Sequence, residues 1–68
     1  MKYIIKFGDK QYYWGDDYRW LGNNFAKFTV VSRFAKRYDT YEEARSELDR
    51  LESTCVNVKN AVIEKVEE

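Results

Sequence analysis

Over residues 38–51 (YDTYEEARSELDRL) and just beyond, apolar side chains recur at Tyr41, Ala44, Leu48, Leu51 and Cys55. Gaps of three and four residues place them on one stripe of a 3.6-residue helix, so this stretch predicts an amphipathic helix. Two capping boxes mark its start, Asp39 with Glu42 and Thr40 with Glu43. In either, a side-chain oxygen accepts from a free backbone N–H and the glutamate reaches back. Glu42 and Glu43 also put negative charge at the positive end of the helix dipole. Arg45/Asp49 and Glu47/Arg50 are spaced to pair along the surface. Tyr38 precedes the cap and is placed to fold back onto Ala44 or Arg45. Ser53 and Thr54 are poor helix residues, which predicts an end near Glu52.

A lone helix in 68 residues has to bury its stripe against strands. Residues 2–7 alternate, with Tyr3, Ile5 and Phe7 on one face. Gly8, Asp9 and Lys10 make a turn, and residues 11–14 (QYYW) complete a hairpin. Residues 15–24 (GDDYRWLGNN) read as an apolar-rich loop folded back on the sheet. Residues 25–32 form a third strand, and 33–37 either extend it or turn into the helix. Residues 58–66 form a fourth. The expectation is a single α+β domain over residues 1–68, in the order β-β-β-α-β, with an antiparallel or mixed sheet of three to four strands on one helix. A meander would return the last strand parallel to the first. One helix covers one face, which leaves the other open for Tyr12 or Tyr13, Trp14, Thr29 and Val31.

Composition removes several chemistries. There is no histidine, hence neither the commonest general base nor the commonest metal ligand. Cys55 is the only cysteine, at a core position of the helical stripe, so neither disulfides nor thiolate clusters are expected. Gly8, Gly15 and Gly22 sit in separate turns and form no phosphate loop. Asp16 and Asp17 are adjacent turn acids of the solvated kind. These points predict no catalytic residue, no metal and no cofactor. Met1–Phe7 alternates charge with apolar residues and lacks the apolar run of a secretory leader. No stretch reaches the ~20 apolar residues of a membrane span, and a cytoplasmic location is expected.

Charge and aromatics point to binding. Residues 1–37 carry eight basic and three acidic side chains, a net charge of +5, and residues 38–68 carry four and nine, a net charge of −5. Six Tyr, two Trp and five Arg supply the residue types that dominate protein interfaces. Trp14, Tyr18, Arg19 and Trp20 cluster in sequence as a candidate anchor for a protein partner, unless the tryptophans are core. Glu43, Glu47 and Asp49, with Glu52, offer an acidic helix face that would occupy a basic groove of a target. The alternative is single-stranded nucleic acid on a basic aromatic sheet face of Tyr12, Tyr13, Lys27, Arg33, Lys36 and Arg37. Zero net charge and the lack of an RNP-type motif weigh against that alternative. Pairing of an open face or edge strand with a second copy is the third option.

The KYIIK start, the YYWG hairpin, the tryptophan loop, and Ala35, Lys36, Arg37 and Tyr38 followed by Thr40, Glu42, Glu43 and Ala44 resemble small accessory proteins of phages and prophages. The resemblance implies a class that includes inhibitors of host or defence proteins, anti-CRISPR proteins among them. Its specific part spans about ten residues that start a helix. It carries over no site residue.

Overall fold

The computed structural model describes residues 1–67. Four strands, β1 (Lys2–Phe7), β2 (Gln11–Trp20), β3 (Asn23–Thr29) and β4 (Ala61–Val66), form one antiparallel sheet in the order β3-β2-β1-β4. A single turn of 3-10 helix, Ser32–Phe34, follows β3, and helix α1 spans Tyr41–Thr54. The expected α+β class and element order hold.

Thr40 caps α1. Its hydroxyl accepts from the Glu43 amide at 3.1 Å and donates to the Glu43 carboxylate at 3.2 Å. Asp39 is drawn instead to the Lys2 ammonium. At the other end the helix outruns its expected stop at Glu52. It runs two residues further, to Thr54, and the Ser53 and Thr54 hydroxyls both donate to the Arg50 carbonyl, at 3.0 and 2.7 Å. Ala44, Leu48 and Leu51 are buried on its inner stripe. Leu48 and Leu51 are fully buried, each contributing about 1.5–3 kcal/mol. They pack with Ile5, Phe7, Tyr13, Ala26, Tyr38, Cys55 and Val58.

β4 pairs antiparallel with β1, not parallel as a meander implies. The cause is an extra pass of the chain. β2 follows β1 only at Lys6↔Tyr12 and Phe7↔Gln11 before the two part. The segment 35–39 fills the opening. Tyr38 exchanges both backbone hydrogen bonds with Tyr3, at 2.8 and 2.9 Å, and the Lys36 amide donates to the Tyr13 carbonyl at 3.0 Å. The chain thus runs back along β1 before the helix begins, and that reversal flips β4.

Residues 15–24 are not a loop. β2 continues through them to Trp20, and the turn is only Leu21-Gly22. A bulge hides this in the sequence. Between the pairs Tyr13↔Phe28 and Asp17↔Ala26, the three residues Trp14, Gly15 and Asp16 face Lys27 alone. The sheet also curls. The Phe7 and Phe28 rings lie 4.4 Å apart although β2 runs between their strands.

The two sheet edges differ. Beside β3, the Val56 amide donates to the Asn24 carbonyl, and the Asn57 side chain bonds both backbone groups of Ala26. Among the described residues, the outer edge of β4 has no backbone partner. The outer sheet face is not uniformly open either. Ile4 alternates with Ile5, so it points away from the helix, and it is still fully buried.

Candidate functional site

The β2–β3 hairpin has two unlike faces. Tyr13, Asp17, Ala26 and Phe28 share the inner one, so strand alternation puts Trp14, Tyr18, Trp20, Phe25 and Lys27 on the outer one. Tyr18 pairs with Phe25 across the strands, and their rings stack at 5.4 Å with 18° between planes. Farther along, the Lys27 ammonium sits 5.5 Å from the Trp14 ring centre and 3.5 Å from the Asp16 carboxylate. Past Tyr18, Trp20 closes the row beside the turn. Trp14, Tyr18 and Trp20 are 51 %, 46 % and 62 % exposed. An exposed run of large aromatics on one strand face departs from ordinary surface composition, and this makes the face the candidate site.

Three of the four residues of the expected anchor therefore share a face, and both tryptophans lie outside the core. Arg19 does not join them. It pairs with Asn24 and alternates to the opposite side. Sequence reading missed Phe25 as a ring partner and Leu21 as the tip. Leu21 directly before a glycine and two asparagines was the available signal.

The acidic helix residues do not make one surface. At 3.6 residues per turn, Asp49 lies about 200° round the helix from Glu47. Asp49 pairs with Arg45 at 3.2 Å, and Glu43 is engaged by Thr40. Glu47 takes two hydrogen bonds from Arg50, at 2.9 and 3.2 Å, and this hold keeps its carboxyl below the usual range. The same guanidinium donates to the Tyr13 hydroxyl at 3.3 Å and lies 3.7 Å from Asp17. Glu43, Glu47 and Arg50 line an open groove of about 770 Å3 with Lys36, Tyr38 and Glu42.

The alternative nucleic-acid set breaks up. Tyr13 is 1 % exposed and belongs to the core, because it lies on the inner face of β2 against the helix. Burial, together with nearby Glu47, pushes its hydroxyl up to about 12. Arg37 donates to the Ser32 and Ala35 carbonyls, at 2.9 and 2.7 Å, and so secures the crossing segment. Lys36 packs along Gly15 and lies 5.7 Å from the Tyr38 ring. Arg33 stacks on Phe34. Tyr12 and Lys27 alone remain on the outer sheet face.

Among the described residues, no group of acidic, cysteine or histidine side chains is placed to hold a metal, and no helix is long and apolar enough to cross a membrane. No protein-family model matches the chain, and no characterised protein or solved structure does.

Proposed function

We propose that this chain is a small protein-binding module that presents the outer face of its β2–β3 hairpin to a protein partner. The observation that carries the reading is the row of Trp14, Tyr18 and Trp20, held outward on the bulged β2–β3 hairpin and 46–62 % exposed. Aromatic rings on a rigid strand lose little conformational freedom on binding, so such a row suits an anchor. The module acts by covering a surface of its target. Resemblance of residues 35–44 to phage accessory proteins supports a bacterial host or defence protein as that target, as in anti-CRISPR inhibition.

The test is retention of proteins from bacterial lysate by the immobilised chain, with Trp20→Ala alongside. A protein retained by the wild type and lost with Trp20→Ala is expected. Equal retention by both removes Trp20 as an anchor. Binding of a mixed single-stranded oligonucleotide that falls steeply with salt would replace this reading with phosphate recognition.

A further inference from the structure

Direct pairing of Trp20 with Asn23 leaves a loop of two residues, Leu21 and Gly22, with φ of 51° and 81°. Two left-handed residues in a two-residue hairpin loop define a type I′ turn, whose first position favours Asn, Asp or Gly. A bulky aliphatic side chain there is an outlier. Leu21 is also 83 % exposed. For the free chain it is thus unfavourable twice, once in backbone and once in solvation, at a position where asparagine would relieve both. Strain of this kind clusters at binding and active sites.

We infer that Leu21 is the leading contact of the module, a convex aliphatic knob that enters an apolar pocket on the protein partner. This rests on the protein-binding reading above. A two-residue turn is narrow and fits a concavity better than a flat surface. One leucine beside Trp20 buries too little apolar area to hold a membrane, where even a whole acyl chain binds only marginally.

Leu21→Asn tests the inference with two independent readouts. Its urea midpoint should rise, corresponding to a folded-to-unfolded ratio larger by a factor of about five. The probe for binding is the protein purified on the immobilised wild-type chain, titrated with wild type, Leu21→Asn and Trp20→Ala. A loss of affinity of about tenfold or more for the better-folded Leu21→Asn supports the knob. Wild-type affinity for Leu21→Asn beside a weakened Trp20→Ala overturns it and leaves the broader reading standing. An unchanged urea midpoint removes its strain premise and overturns it as well. If the wild-type chain retains no protein, the reading and the knob fall together. Leu21-dependent binding to mixed phosphatidylcholine–phosphatidylglycerol vesicles overturns the pocket in favour of lipid.

Discussion

The Asn57 side chain stands in for a strand beside Ala26. Its Oδ1 accepts from the Ala26 amide at 2.9 Å, and its Nδ2 donates to the Ala26 carbonyl at 3.0 Å. One amide thus satisfies both backbone groups of a buried residue on the edge of the sheet. Asn57→Ala should lower stability by about 1–3 kcal/mol, because it strands a donor and an acceptor together. Asn57→Asp keeps the acceptor but sets a carboxylate oxygen against the Ala26 carbonyl, and at neutral pH it should cost at least as much. Urea unfolding measures both, and equal stability for Asn57→Ala would mean that water replaces the amide without loss.

Glu47 gives the fold an acid limit. Arg50 hydrogen bonds are the largest influence holding its carboxyl below the ordinary 4.5. A depressed carboxyl contributes fully above its unfolded value and loses that contribution as pH falls through its folded one. Stability should therefore drop as pH falls below about 4.5. In Glu47→Gln that drop should be shallower, measured as urea midpoints across the acid range.

Tyr13 sets the opposite limit. Burial raises its hydroxyl from 10.0 to about 12. A raised acidic group contributes fully below 10 and loses its contribution as pH climbs toward the higher value. Spectroscopic titration of tyrosinate should show a late component that shrinks in Tyr13→Phe, with the remainder belonging to Tyr38, whose hydroxyl burial also raises.

Tyr38 is the neighbour that should tolerate the same change. Among the described residues its buried hydroxyl has no hydrogen-bond partner of good geometry, although Glu47 lies near enough to help raise its pKa after burial itself. A buried hydroxyl without a partner contributes little, so Tyr38→Phe should be neutral or stabilising within about 1 kcal/mol. A loss well beyond that would reveal a bond to Glu47 in solution.

Gly15 lies at φ +100°, and a Cβ there would meet Lys36 Cδ at 2.8 Å. Gly15→Ala should cost about 1–3 kcal/mol from the backbone, plus the clash. Gly22→Ala, at φ +81° in open space, carries the backbone part alone. Comparing the two by thermal unfolding isolates the clash. A Lys36→Ala background should narrow the gap between them.

The helix was legible because several local signals agreed. Thr40 with Glu43 gave the cap, and Ala44, Leu48 and Leu51 gave the stripe. The first and last strands were legible through alternation at Ile5 and Phe7 and again at Ala61 and Ile63. β2 was not, because the bulge at residues 14–16 inserts unpaired residues and breaks the two-residue period. Its turn was hidden too, since Leu-Gly lacks the usual I′ signature. Tyr12 and Tyr13 could not be ranked from sequence. Each is a β-prone aromatic, and only the register of β2 on β1, which sets Tyr12 opposite Lys6, decides which one meets the helix. The return pass of 35–39 was also invisible, as its pairing with Tyr3 depends on a gap between strands distant in sequence.

The unequal sheet edges set a valence. Asn57 and the chain before it occupy the middle of the β3 edge, while β4 offers six regularly paired residues whose outer side has no backbone partner among the described residues. Strand addition needs an open edge on each participant, and a fibre needs two on every copy. With the middle of the β3 edge spent internally, pairing through β4 alone would stop at two copies. The amide of Asn57 therefore does more than hold Ala26: with the Val56 amide on Asn24 it works as a chain terminator, and its removal alone would free Ala26 while leaving Asn24 blocked.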